Sequence, residues 1–284
     1  MYRLFIALQY LLPQHLLSRL AGKLAECRRP WVKNPLIKLF IRRYQVNMQD
    51  ARIEDPQQFA SFNDFFTREL KAGLRPLPAD PLAVVSPADG TVSALGDIQD
   101  DSIFQATGRS FSLRALLGGS DALTNTFRTG SFATVYLSPR DYHRVHMPWG
   151  GTLQEMIHVP GDLFSVNQCT AENIDELFAR NERAICIFTT ERGPMAVILV
   201  GALIVAGIET VFAGHVCPDG RQVRRTDYST TLPPVYLERG AELGRFKLGS
   251  TAIVLCADNM QSWRPDLTCG SSLQMGQQIG TMGS

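Results

Sequence analysis

The sequence predicts an α+β fold, in which N-terminal amphipathic helices precede a β-rich body of mostly antiparallel short strands. Leucines recur at helical spacing in the first 25 residues, and prolines crowd residues 74–87. Short runs rich in valine and isoleucine fill much of the remainder. With 284 residues, 45% of them hydrophobic, the chain can bury a large core. We expect a helical region over residues 1–72 and a β-rich domain over residues 73–284.

The first predicted helix breaks and restarts at Pro13. Its apolar stripe consists of Leu4, Leu8, Leu11, Leu16, Leu17, Leu20 and Leu24. Arg19 and Lys23 lie opposite this stripe, a pattern typical of helices that lie on a membrane surface, although such a stripe can also pack on the body of the protein. Two more helices are predicted over residues 36–44 and 61–70, the second with Ser61 as its N-cap.

Short strands separated by turn dipeptides such as Asp89-Gly90 are predicted for the β-rich domain. They cover residues 83–86, 91–95, 132–137, 153–159, 184–189, 196–200, 204–212 and 252–256.

Basic residues concentrate at the start of the chain, although the whole chain has a net charge of only +1. Residues 1–46 contain one acid, Glu26, and nine basic residues: Arg3, Arg19, Lys23, Arg28, Arg29, Lys33, Lys38, Arg42 and Arg43. No window of eighteen apolar residues predicts a membrane span, and Gln9 interrupts the first apolar run, so no signal peptide is expected. The six cysteines form no CxxC pair, which favours a reducing compartment.

The Gly249-Ser250 bond is a candidate for self-cleavage because it lies at the edge of a predicted buried strand. Glycine permits backbone conformations closed to other residues and leaves its carbonyl open to attack. The Ser250 hydroxyl is the expected nucleophile in an N-to-O acyl shift. A hydroxyl near neutral pH needs a base, and that base needs an orienting partner.

His143 and His146 are the candidate bases, since they lie together in residues 141–148. If this segment is extended, the two rings project to opposite faces and have different tasks; if it is a turn, both can point into one pocket. Half of a metal site and two purely structural histidines are the alternatives. No further ligand follows at metal-binding spacing, so no metal is expected.

Asp89 is the candidate carboxylate, in a tight turn between two apolar runs. Asp-Gly is a common turn dipeptide, so taken alone it is more typical of a hairpin than of a catalytic acid.

Four segments in order give these residues a context: Pro87-Ala88-Asp89-Gly90, Tyr142-His143-Arg144-Val145-His146-Met147-Pro148, Val159-Pro160-Gly161-Asp162-Leu163-Phe164-Ser165-Val166-Asn167 and Phe246-Lys247-Leu248-Gly249-Ser250-Thr251. Together they closely resemble the bacterial phosphatidylserine decarboxylases, and the resemblance extends over nearly the whole chain, including its basic helical start.

The resemblance implies a pyruvoyl-dependent enzyme that is made as an inactive proenzyme. His146, oriented by Asp89, would take the proton of Ser250, whose oxygen attacks the Gly249 carbonyl. The cut would leave chains 1–249 and 250–284, with Ser250 converted to the pyruvoyl cofactor. A Schiff base between this group and the substrate amine would then allow carbon dioxide to leave and phosphatidylethanolamine to form.

The resemblance also makes His143 the expected handler of the substrate or proton donor during decarboxylation. Gly161, Ser165 and Asn167 would bind the lipid headgroup, because backbone N–H groups in such a loop can face an anion. Without the family, an ordinary loop with Ser165 as a helix cap is an equally good interpretation.

The expected partners are phosphatidylserine and an anionic membrane surface, and no nucleic acid. The two cleavage products would form a heterodimer that assembles further as a homodimer, peripherally bound at the cytoplasmic face of the cell membrane. Two rival interpretations remain, a serine or metal-dependent hydrolase and a noncatalytic membrane-surface β-domain. Neither predicts a small C-terminal fragment with a blocked N-terminus.

Overall fold

The computed structural model describes residues 2–106, 108–203, 207–216, 222–247, 250–257 and 261–283, and of residues 2–5, 8, 250 and 261 it describes only the main chain. The helices are α1 (Tyr2–Leu11), α2 (Gln14–Ala25), α3 (Pro30–Tyr44), α4 (Phe62–Phe66), α5 (Leu113–Leu116), α6 (Asp121–Phe127), α7 (Gln168–Asn173) and α8 (Leu177–Arg180). Among helices whose residues are described, none combines the length and the apolar character that a bilayer span requires.

The predicted helix boundaries are partly correct. Pro13 separates α1 from α2, as predicted. The α3 helix begins earlier than expected, with Pro30 in its first turn, where a missing N–H costs no hydrogen bond. Ser61 caps α4 by accepting from the Asp64 N–H at 3.2 Å, but the predicted extension of this helix to residue 70 is wrong. After Thr67 the chain leaves the helix, and Leu70 forms a bridge with Ala51 instead.

The strands of the described residues lie where most of the short apolar runs predict them. They are β1 (Ala83–Val85), β2 (Gly90–Asp97), β3 (Ser102–Ala106), β4 (Arg109–Ser112), β5 (Ser131–Leu137), β6 (Arg144–His146), β7 (Gly151–Val159), β8 (Arg183–Thr190), β9 (Gly193–Val200), β10 (Ile208–Thr210), β11 (Gly214–Val216), β12 (Arg224–Asp227), β13 (Tyr236–Leu237), β14 (Glu242–Phe246), β15 (Ser250–Cys256), β16 (Gln261–Trp263), β17 (Ser272–Leu273) and β18 (Gln278–Met282). The strand predicted over residues 204–212 corresponds only to β10, and residues 204–206 lie outside the described part of the chain.

The largest sheet has nine strands in the order β12-β7-β8-β9-β15-β5-β2-β17, with β13 also paired to β7. Its neighbours are antiparallel throughout. Two smaller antiparallel sheets, β11-β10-β14-β6 and β1-β18-β16, contribute side chains to the core on one face. Helices α5 to α8 cover the opposite face. The α+β prediction is therefore confirmed.

The β15 strand lies between β9 and β5, so both of its edges are hydrogen-bonded. Ala252 and Val254 point into one core, whereas Ile253 and Leu255 point into the other. An uninterrupted apolar run is the pattern expected of a strand buried on both faces.

The N-terminal helices have a core of their own and also contact the β-rich body. Ile37, Phe59, Phe62, Phe65 and Phe66 are buried together between α3 and α4. On the body, the Tyr10 ring of α1 lies edge-on to Phe164 at 5.1 Å between centroids.

Replacing Ile253 with alanine should lower the free energy of unfolding by about 2–5 kcal/mol, because it removes a fully buried side chain and leaves a cavity. Ile253→Val is the matched control and should cost about 0.5–1.5 kcal/mol. Urea unfolding followed by circular dichroism measures both, and equal stabilities for the two variants would contradict the burial of β15 in the core.

Candidate active site

The start of β15 places Ser250 at the end of β5. Ser250 lies opposite Leu137 in the antiparallel register. Its predicted cleavage partner Gly249 lies outside the described residues, as does Leu248. The described part of the site begins with the turn that follows Leu137.

Asp141 closes this turn. Its Oδ2 accepts hydrogen bonds from both the N–H and the hydroxyl of Ser138, each at 2.7 Å. Burial raises the pKa of the Asp141 carboxyl, although the two Ser138 bonds act in the opposite direction. The turn holds the carbonyl of Ser138 next to the strand end where Ser250 begins.

His143 is bound to the same turn. Its Nε2 lies 3.0 Å from the Ser138 carbonyl oxygen. Because a carbonyl only accepts, Nε2 must carry the proton and Nδ1 the lone pair. The Nδ1 atom is buried and has no hydrogen-bond partner in the described part of the structure. Burial, with a smaller effect of the Arg68 charge, lowers the pKa of His143 to about 3, so the ring is neutral at physiological pH.

His146 has the opposite tautomer. Its Nδ1 lies 2.8 Å from the Gly240 carbonyl and must donate, so Nε2 accepts from the Tyr142 hydroxyl at 3.0 Å. Burial lowers the pKa of His146, while the Gly240 bond and the charges of Glu242 and Asp89 oppose that shift. The ring is therefore positioned as a neutral base by a carbonyl and a phenol.

The two histidines face different surroundings, as the extended alternative predicts. Residues 144–146 form β6, which pairs with β14. Along β14, the His143 carbonyl accepts from the N–H of Phe246, whereas His146 lies opposite Glu242. His143 is thus nearer than His146 to the start of β15 in the strand register.

Asp89 is engaged by an arginine. Arg75 forms a two-pronged ion pair with its carboxylate, at 2.9 Å and 2.6 Å, and the Met275 N–H donates to it at 2.8 Å. Asp89 makes no hydrogen bond to His146 and affects it only through its charge. The hairpin alternative is wrong, because β1 and β2 belong to different sheets.

A cavity of about 170 Å³ lies between the N-terminal region and this turn. Its lining includes Arg68, Arg75, Asp50, Asp89 and Asp141. These two arginines and three carboxylates thus line one polar space, which also contacts Tyr142, the hydrogen-bond partner of His146.

Three consecutive main-chain donors of the loop predicted to bind the headgroup are already paired. The N–H groups of Leu163, Phe164 and Ser165 donate to side-chain oxygens of Gln14, Asn181 and Gln9, respectively. The structure places the loop against the N-terminal helices, and the anion-binding role of this loop stays a prediction.

Gly161 and Asn167 have structural tasks in the same loop. A Cβ at Gly161 would collide with the carbonyl oxygen of Arg180, so only glycine allows this approach. Asn167, and not Ser165, caps the following helix by accepting from the Thr170 N–H at 3.1 Å. The Ser165 hydroxyl instead accepts from the Asn167 amide.

Several site residues were not identified from the sequence: Phe66, Arg68, Arg75, Asp141 and Tyr142. Asp141 and Tyr142 are adjacent to His143, and an acid three residues after Ser138 is a recognisable turn signal. Phe66, Arg68 and Arg75 come from a distant part of the chain, where no local pattern marks them.

Lys247 anchors the segment just before the predicted cut. Its Nζ lies 2.8 Å from Glu209 and 3.3 Å from Glu26, the C-cap residue that follows α2. Asn63 donates to the same Glu26 carboxylate at 2.8 Å. Lys247 is therefore attached both to β10 and to the N-terminal helices.

Two buried histidines, each with a lone pair on one ring nitrogen, and a serine at a strand end are the groups on which an enzyme with acid–base chemistry depends. Comparison with known proteins identifies the family. The model for phosphatidylserine decarboxylase matches residues 62–281, and a model described as PSD matches residues 4–45.

Curated relatives match over nearly the full length. The phosphatidylserine decarboxylase proenzyme of Azotobacter vinelandii is 62% identical over 279 residues, which cover 98% of each chain. Those of Pseudomonas fluorescens and Pseudomonas putida are 59% and 60% identical, over 98% of this chain and 97% of theirs. The chain belongs to the phosphatidylserine decarboxylase family, which confirms the resemblance carried by the four segments.

The described residues fit the pyruvoyl group that the family implies. The group would derive from Ser250, and one buried polar atom beside the turn that follows Leu137, Nδ1 of His143, lacks a partner in the described residues. Orphaned polar atoms in a core are costly unless another group satisfies them. No cluster of three metal-ligating side chains occurs in the ranges that the structure describes.

The burial of neutral His143 predicts a loss of stability in acid. Its pKa is about 3 in the folded chain and about 6.5 in the unfolded one, so between these values the unfolded chain binds more protons. Stability should fall as the pH drops from 6.5, by up to about 1.4 kcal/mol per pH unit from this residue. His143→Gln should have a shallower slope in urea unfolding between pH 7 and pH 4, and identical slopes would contradict a neutral buried ring.

Proposed function

We propose that this chain decarboxylates phosphatidylserine to phosphatidylethanolamine, with a pyruvoyl group formed from Ser250 when the precursor cuts its own Gly249-Ser250 bond. Family membership over nearly the whole chain supports the activity. The observation that carries the site is the strand register. Ser250 begins a central strand opposite Leu137, directly before the turn that binds His143.

Self-cleavage needs a base for the Ser250 hydroxyl, and we assign that task to His146. Its Nε2 carries the lone pair, which accepts from the Tyr142 hydroxyl and from no other group of the described residues. The charges of Asp89 and Glu242 favour the imidazolium that forms once the proton is taken. Asp89 thus supports His146 through its charge, and Arg75 holds that carboxylate in place.

Decarboxylation needs a group that handles a proton beside the reacting carbon, and we assign that task to His143. Its Nδ1, which has no hydrogen-bond partner among the residues described, and its location near the start of β15 support this assignment. Burial keeps the ring neutral, so Nδ1 can hold a proton only while a nearby group stabilises the charge. The pyruvoyl group itself supplies an electron sink for the bond to the leaving carboxylate.

The two cleavage products stay together in this proposal as a heterodimer of chains 1–249 and 250–284. The shorter chain contributes β15 to the middle of the large sheet, between β9 and β5. It also contributes β18, which pairs with β1, and β17, which pairs with β2. Assembly of this pair into a homodimer remains a proposal for which sedimentation analysis is the test.

Residues 1–72 are proposed to bind an anionic membrane surface, at the cytoplasmic face of the cell membrane. Leu16, Leu20 and Leu24 project from one side of α2 and are each more than half exposed, as are Trp31 and Leu39 of α3. Exposed basic side chains accompany them: Arg19, Lys23, Arg28, Arg29, Lys38, Arg42 and Arg43. Apolar insertion combined with positive charge is the combination that binds peripheral helices to anionic lipid.

Substitutions of the two histidines should affect self-cleavage and decarboxylation separately. His146→Ala should remain an uncut chain, as should Ser250→Ala, because neither can start the acyl shift. His143→Ala should cut itself but lose at least about 100-fold in decarboxylation, the usual contribution of a positioned proton donor. Denaturing electrophoresis with intact mass detects the fragments.

His143 lies nearer than His146 to the start of β15, so the experiment also tests whether His143 is instead the base for self-cleavage. A His143 variant that fails to cut, or a His146 variant that cuts normally, would reverse the assignment. An uncut wild-type chain after full maturation time would refute the proposed function.

Membrane binding should depend on the exposed leucines of α2. Replacing Leu16, Leu20 and Leu24 with glutamine should reduce co-sedimentation with vesicles containing phosphatidylserine by about tenfold or more, since each exposed leucine that is buried contributes about 1.5–3 kcal/mol. Leu232→Gln is the matched control, because Leu232 is 88% exposed but belongs to the β-rich body. Equal binding by the triple variant and the wild type would contradict this membrane surface.

A further inference from the structure

Four consecutive residues of the N-terminal region, Phe66 to Glu69, contact the segment that contains His143. We name these four residues the clamp. The clamp begins at the last residue of α4 and continues where the chain leaves that helix. Its target is the segment from Ser138 to Arg144, which contains the turn closed by Asp141. The residues that contact each other across the two segments are more than 70 positions apart in the sequence.

Every member of the clamp contacts this target. The Phe66 ring stacks on the His143 ring, with centroids 4.0 Å apart and planes 24° apart. The carbonyl of Thr67 accepts from Nε of Arg144 at 2.9 Å. Arg68 donates from Nη2 to the carbonyls of Arg140 and Asp141, and Glu69 forms an ion pair with Arg144.

The contacts of the clamp fix the His143 ring in both position and orientation. One face of the ring is covered by Phe66, while the Ser138 carbonyl fixes the direction of Nε2. Arg68 holds the peptide groups of the turn that supplies this carbonyl. With one face and one nitrogen fixed, Nδ1 can point in only one direction.

Phe66 is itself held by the aromatic core of the N-terminal helices. It stacks on Phe62 at 6.0 Å, and Phe40 of α3 meets it edge-on at 5.8 Å. The region that carries the proposed membrane surface therefore also forms one wall of the active site. The role of the N-terminal region therefore extends beyond attachment to the membrane.

We propose that Phe66 and Arg68 are positioning residues for decarboxylation, which act by holding the His143 ring with Nε2 protonated and Nδ1 directed to the reacting carbon. This inference rests on the proposed function, in which His143 handles a proton. Neither residue touches the substrate in this proposal. Their effect should therefore appear in the rate of the chemical step and not in substrate binding.

The experiment compares Phe66→Met with Phe59→Met. Both phenylalanines are almost fully buried in the same aromatic core, but Phe59 contacts the ring of Phe65 and not that of His143. Both variants should lose similar stability. Phe66→Met should lower kcat by about tenfold or more, equivalent to about 1.4 kcal/mol, with KM within about twofold of wild type. Phe59→Met should keep both constants within about twofold.

Rates are to be expressed per cut chain, counted by intact mass, so that slow maturation is not mistaken for slow decarboxylation. Histidine ¹⁵N chemical shifts give a second measurement that general destabilisation would not change. The signal of His143 should show loss of the pure Nε2–H tautomer in Phe66→Met and should be unchanged in Phe59→Met. Equal kcat values and equal tautomers for the two variants would overturn the inference.

Arg68→Met provides a second route if Phe66→Met does not fold. It should also lower kcat at constant KM, because the turn that orients Nε2 loses its donor. Wild-type kcat in this variant would overturn the role of Arg68. A wild-type protein that neither cuts itself nor releases carbon dioxide would instead refute the proposed function, so the two failures are distinguishable.

Discussion

The pairing of β15 with strands on both of its sides is the constraint on which the rest of the structure depends. The strand is the first element after the predicted cut, and it lies between β9 and β5 in the middle of the largest sheet. Its residues alternate between two cores, so a shift of one residue would exchange every side chain between the two faces. The start of the strand is therefore held in a single position beside Leu137, and the turn after Leu137 carries the candidate active site.

The same constraint explains which parts of the fold could be predicted. Strands buried on both faces are continuous apolar runs, and β15, β9 and β8 are recognisable from composition alone. The α4 helix was predicted too long because residues after Thr67 have acceptable helical propensity, but Leu70 gains a bridge with Ala51. Tertiary pairing overrides local propensity there.

The candidate site was only partly predictable, for a related reason. Asp89, His143 and His146 are found from short segments, because their neighbours form recognisable patterns. Their contact partners cannot be found in this way, because the fold brings Arg75, Gly240 and Phe66 to the site from distant parts of the chain. The sequence suggests an aspartate that orients a histidine, whereas the structure pairs that aspartate with an arginine and gives the histidine a main-chain carbonyl. Ionic partners compete for a carboxylate, and a two-pronged arginine contact is among the strongest.

The anchoring of Lys247 and the central place of β15 have a consequence for the life of the molecule. In the intact chain, β15 is covalently linked to the strands it pairs with, so it folds at the high effective concentration of an intramolecular partner. If the chain is cut before Ser250, as we propose, unfolding would separate two molecules, and refolding would require them to associate again in solution. Thermal unfolding of the cut protein should then be irreversible. Its resistance to heat is therefore set by the unfolding rate and not by an equilibrium free energy.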